Sequence, residues 1–103
     1  MAKWRKRFDA WATARQPVPV SEVEALLTRV FGDRVVVHPG GSHRWTVDVP
    51  ELVEVHDDFK FGQIGMPVSG GKHVKAIYCQ IAFEAASLLG LLRDEDDEPE
   101  ECN

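Results

Sequence analysis

The chain has 103 residues, room for one domain with one modest core, and its 44% hydrophobic content is ordinary for a globular protein. No stretch approaches the roughly 20 apolar residues of a membrane span, and the spacing of Cys79 and Cys102 suits neither a metal site nor a disulfide framework. The formal charge of −5 is uneven: residues 94–103 hold seven acids and no base, leaving residues 1–93 at +2 and residues 1–20 at +4, which permits a nucleic-acid partner but does not establish one.

In residues 3–15, Trp4, Phe8, Trp11 and Arg15 recur at three- and four-residue steps, predicting a helix with its aromatics on one face. Lys3, Arg5, Lys6 and Arg7 lie mostly around the other face. Two readings stand. One is a packing helix that lays its tryptophans on the domain or on a second copy, giving a homodimer through Trp4 and Trp11. The other is a basic arm that touches RNA or a partner protein. No apolar signal segment develops at this start, so a cytoplasmic protein is expected.

Gln16-Pro17-Val18-Pro19 is a short extended linker, because proline cannot continue the first helix. Ser21 and Glu24 predict a capping box that opens a helix from Glu22 to Phe31. Val23, Leu26, Leu27, Val30 and Phe31 form its apolar stripe, and Gly32 ends it. The β-branched run Arg34 to His38 predicts a strand, and Ser42 to Val49 a second one. The Pro39-Gly40-Gly41 turn joins them. Regular alternation would put Ser42 and Arg44 on one face, His43 and Trp45 on the other. Glu51 to Phe61 has no clear period: an irregular crossing, an inserted loop or an added strand all fit. Phe61 to Val68 predicts a third strand. After Ser69-Gly70-Gly71, a long helix is expected from Lys72 to Leu92, with Val74, Ile77, Tyr78, Ile81, Ala82, Ala85, Leu88, Leu89 and Leu92 as its stripe. Residues 93–103 are expected to be disordered.

The fold class expected is therefore α+β. A small antiparallel three-stranded sheet is covered on one face by two helices, with an extra helix in front and an acidic tail behind. The chain divides into residues 1–20, 21–92 and 93–103.

Two clusters could carry chemistry. His43 stands beside Arg44 and just after Gly41 and Ser42, a pattern that can bind phosphate and move protons. It is also the pattern of an ordinary polar hairpin. Gly70-Gly71-Lys72-His73-Val74-Lys75 reads as a helix start, where free amides and the Lys72 and Lys75 charges could hold an anion and His73 could carry a second proton. A solvated helix start is the plainer alternative. There is no His-x-x-x-His pair, no Cys-x-x-Cys and no phosphate-loop motif, so neither metal nor cofactor is expected.

Gly41-Ser42-His43 followed by Arg44-Trp45 has a Val- and Leu-rich helix before it. After it come Gly65-Met66-Pro67-Val68 and a basic segment. This order resembles the HicA family over about Ser21 to Leu92. Members are small toxins of bacterial toxin–antitoxin pairs that cut messenger RNA, with a shortened double-stranded-RNA-binding fold of helix, three strands and helix. The resemblance implies a metal-independent endoribonuclease with His43 as the catalytic residue. Gly41, Ser42, Arg44, Lys72, His73 and Lys75 would contact RNA, and a small antitoxin would cover the active face. Family members often carry Pro-x-His-x-x-x-Lys near the third strand; here Ser69 stands where that histidine would be. Two other functions fit the residues: a non-catalytic RNA-binding domain of the same fold, and a homodimerising interaction module. The acidic tail could also mimic RNA against its own domain.

Overall fold

The computed structural model describes residues 3–38 and 43–92, and at His43 the backbone. Gly41, Ser42 and the acidic segment, with the expectations attached to them, lie outside the described residues.

Helical periodicity from Val23 to Phe31 becomes α2, Val20–Phe31, whose buried face is Val23, Leu26, Leu27 and Phe31. Gly32 terminates it with φ +56°, a conformation that favours glycine. The expected capping box does not form. Pro19 is the residue before the helix, and no side chain caps its first turn. The reason is a strand pair that starts the helix early. β1, Val18–Pro19, pairs antiparallel with β5, His73–Val74. The Val20 amide then donates to the Lys72 carbonyl at 2.9 Å, so Ser21 falls inside the first turn.

The β-branched and alternating segments form an antiparallel sheet of β2 (Val35–Val37), β3 (His43–Asp48) and β4 (Gln63–Pro67), in that order. Trp45, Val47, Ile64 and Met66 point into the core from β3 and β4. Thr46 pairs with Val36 on one side and Gly65 on the other, marking the opposite, open face. The stretch between β3 and β4 is an irregular crossing. It has two short 3₁₀ turns, Pro50–Leu52 and Asp57–Phe59, that sink Leu52 and Phe59 into the core. The Arg34 guanidinium holds this crossing to the start of β2. It donates to the Asp48 carbonyl at 3.1 Å and to both Glu51 carboxylate oxygens at 2.8 and 2.7 Å.

α3 spans Ala76–Leu88, four residues shorter at its start than its apolar pattern suggests, because β5 precedes it. Its buried residues are small: Cys79, Ala82, Ala85 and Ala86. Ile77 and Leu88, expected in the stripe, are exposed. Small residues let α3 approach the sheet on one side and the N-terminal arm on the other. That arm is α1, Lys3–Asp9, continued by a 3₁₀ turn, Ala10–Thr13. The Phe8 ring lies 4.9 Å from Trp11 and 5.5 Å from Phe83 of α3, centre to centre. The Gln80 amide donates to the Ala14 carbonyl at 2.6 Å, and Arg5 to the Leu92 carbonyl at 3.1 Å. Phe8 and Trp11 are 0% and 1% exposed, inside the same core as the sheet. The expected two-tryptophan dimer surface is therefore absent. Trp11 is spent on the chain's own core, and Trp4 is half-buried with the Arg29 guanidinium 5.4 Å from its ring centre. Among the described residues, no helix is long and apolar enough to cross a membrane.

Candidate functional site

Strand register gathers one end of the sheet. The His38 amide donates to the Arg44 carbonyl at 2.7 Å, and His43 pairs with Pro67 at the end of β4. Residues 38, 43, 44 and 67 thus form a row across three strands. Adjacent strands lie about 4.8 Å apart, so the row spans about 10 Å.

The row is irregular at one point. His43 pairs with Pro67 but Trp45 pairs with Met66, leaving Arg44 as an extra residue in β3. This is a β-bulge, a feature that breaks alternation and re-aims side chains. Ile64 and Met66 are buried, so Pro67 belongs to the open face. The His43 backbone is thus paired with an open-face position, and the expected grouping of His43 with Trp45 does not follow. Arg44 is half-buried, its guanidinium 5.6 Å from the centre of the buried Trp45 ring, a cation–π contact that fixes the charge at the sheet end. His38 is held on the open face, its Nε2 2.9 Å from the Thr46 hydroxyl.

Beyond Pro67 lies a cleft of about 240 Å³ lined by Pro67, Val68, Ser69, Lys75 and Tyr78. The segment Ser69 to His73 makes a tight reversal that carries the cleft's rim. The Ser69 amide donates to the His73 carbonyl at 2.6 Å, and the Lys72 and His73 amides donate back to the Ser69 carbonyl at 3.2 and 3.3 Å. Gly70 and Gly71 turn the chain with φ of +64° and +73°, values that any Cβ would strain.

This reversal corrects the expected helix-start anion site. The Lys72 and His73 amides are used in the turn, and His73 is in β5. Lys72 and His73 are exposed, and neither lines the cleft. Lys75 does, as the residue just before α3. Sequence reasoning singled out Lys75, Arg44 and His43 in two separate clusters; the structure brings Lys75, Arg44 and the His43 backbone to one end of the molecule through Pro67. It assigned Tyr78 wholly to the core stripe. The available signal was its position three residues after Lys75, a spacing that puts neighbouring side chains on one helical face.

The opposite end of the hairpin is structural. The two guanidinium N–H groups of Arg34 hold the Glu51 carboxyl down at about 2, while Glu51 and Asp48 raise the Arg34 pKa. Burial, with the Glu22 carboxylate second, pushes the Cys79 thiol up to about 12, which keeps it protonated and unreactive. Among the described residues, no three histidine, cysteine, aspartate or glutamate side chains are grouped to hold a metal ion. No protein-family model, curated protein or solved structure matches the chain.

Proposed function

We propose that the chain acts on RNA as a metal-independent endoribonuclease of the HicA type, with His43 as its general base. The observation that carries this reading is the register of His43 with Pro67, at the mouth of a cleft holding Lys75, beside the bulged Arg44. RNA brings its own nucleophile. His43 takes the 2′-hydroxyl proton as that oxygen bonds to phosphorus. The bond from phosphorus to the 5′-oxygen breaks, and the departing oxygen takes a proton from an acid. His38, on the neighbouring strand at the same end, supplies that acid. Arg44 and Lys75 balance the charge that builds on the phosphoryl oxygens. The products are a 2′,3′-cyclic phosphate and a free 5′-hydroxyl. The small antitoxin implied by the resemblance would cover this end of the sheet.

Ser69 favours a second reading. A hydroxyl there cannot do the proton work of an imidazole near neutral pH, so the same surface could bind RNA without cutting it. One experiment separates the two. A panel of single-stranded and structured RNAs is incubated in EDTA with native protein and with His43→Ala, after circular dichroism shows both folded alike. Cleavage by the native chain, cyclic-phosphate ends and none from the variant are expected. Binding by both proteins without cleavage by either would refute the ribonuclease reading and leave the RNA-binding one.

A further inference from the structure

The cleft beyond Pro67 has the make-up of a ligand site rather than a packing defect. Its walls, Pro67 and Val68, are apolar, and its polar groups are two hydroxyls and an ammonium, from Ser69, Tyr78 and Lys75. Pockets that bind small molecules share this pattern of apolar walls with a few convergent polar groups. No carboxylate lines it. Among the described residues, no side-chain hydrogen bond or ion pair engages Ser69, Lys75 or Tyr78, so all three are available to a ligand. Tyr78 is half-buried and packs against the core, so its ring is held in place before anything binds. At about 240 Å³ the cleft is smaller than the roughly 300–1,000 Å³ of sites for drug-sized molecules, which suits a single flat group.

We propose that this cleft is a nucleotide subsite. A base stacks on the Tyr78 ring between the Pro67 and Val68 walls. The adjoining phosphate meets the Lys75 ammonium and accepts a hydrogen bond from the Ser69 hydroxyl. The choice of a nucleotide rests on the RNA reading above. The geometry adds a substrate class: a base can enter only if it is unstacked, so the preferred RNA is single-stranded at this position. Ser69 then has a binding role of its own at the position where the resemblance expects a histidine.

The test uses the full chain in EDTA and measures binding of a dye-labelled single-stranded RNA oligomer by anisotropy. A duplex of the same sequence, a nucleoside 5′-monophosphate and inorganic phosphate serve as competitors. Tyr78→Leu should weaken single-strand binding about 5- to 150-fold, the span of one lost base–aromatic stack, while Tyr78→Phe stays close to native. Nucleoside monophosphate should compete far better than inorganic phosphate or duplex. Lys75→Gln, at an exposed position, carries the test even if Tyr78→Leu fails to fold. It should cut the dependence of log affinity on log salt by about one and weaken nucleoside-monophosphate competition. Native affinity in Tyr78→Leu, or duplex competing as well as single strand, would overturn the subsite. His43-dependent cleavage with no Tyr78 effect would overturn it and leave the ribonuclease reading intact. Tyr78-dependent binding without cleavage would do the reverse. No RNA or nucleotide binding by the folded chain would overturn both.

Discussion

Phe8→Ala tests whether the N-terminal arm is part of the core or an accessory. Phe8 is fully buried, and its ring touches Trp11 at 4.9 Å and Phe83 at 5.5 Å. A buried Phe→Ala change typically costs about 3–5 kcal/mol in lost burial and residual cavity. The total stability of a domain is about 5–15 kcal/mol, so this is a large share of it. For a domain near 100 residues each kcal/mol is worth about 4–8 °C in Tm, so a drop of at least about 12 °C is expected. Trp4→Ala is the control. Trp4 is half-buried, and its stack with Arg29 is an exposed cation–π contact worth about 0.5–1 kcal/mol. Urea titrations followed by far-ultraviolet circular dichroism read both variants. The denaturant slope should stay constant if the same surface unfolds. A Phe8→Ala loss below about 1 kcal/mol, no larger than for Trp4→Ala, would refute the placement of the arm in the core.

Glu51 gives a pH test with a definite sign. Its carboxyl is held at about 2 by Arg34, below its ordinary 4.5. A depressed carboxylate stabilises the fold fully above its unfolded pKa and loses that contribution as pH falls through its folded value. Glu51→Gln should therefore flatten the loss of stability between about pH 5 and pH 2, modestly and more visibly at low salt, because the pair is exposed. Identical slopes in urea midpoints against pH for native and variant would count against the Arg34 clamp. Cys79, with its thiol pushed to about 12, should resist alkylation at about pH 8 in a Cys102→Ser background, reacting only as urea opens the domain. Fast modification in native buffer would contradict its burial.

Local periodicity made much of the fold legible. The α2 stripe, the alternation through Thr46 and Val47, and the apolar run of α3 each declare themselves within a dozen residues. What was not legible is nonlocal. β1 and β5 are two residues each, too short to show a period, and they pair Val18 with Val74 from opposite ends of the chain. That one pairing explains two misreadings. It starts α2 before Ser21 can cap it, and it holds Lys72 to Val74 out of α3. Val74 fits either period, because a single buried valine serves a strand as well as a helix. The aromatic face of α1 was legible, but its partner was not. The small residues of α3 that let the arm approach look unremarkable in sequence.

For the candidate site, residue types were legible and their grouping was not. Strict alternation ties residue 43 to the buried Trp45 face, where a working histidine would have no access to RNA. A one-residue bulge is invisible to a period-two reading, yet it changes the partner of residue 43 to Pro67. The same insertion leaves Arg44 over Trp45 at the sheet end. Lys75 reaches that end by a separate route, because the β1–β5 pair and the glycine reversal fold the chain back before α3 begins. Two irregularities, one in a strand and one ahead of a helix, therefore bring cations from distant parts of the chain to one edge. Inserting a threonine between Met66 and Pro67, to give Arg44 a partner and restore regular alternation, is the direct test of this argument. It should return residue 43 to the Trp45 face and abolish RNA cleavage. Unchanged cleavage by the folded insertion variant would show that the bulge does not position the site.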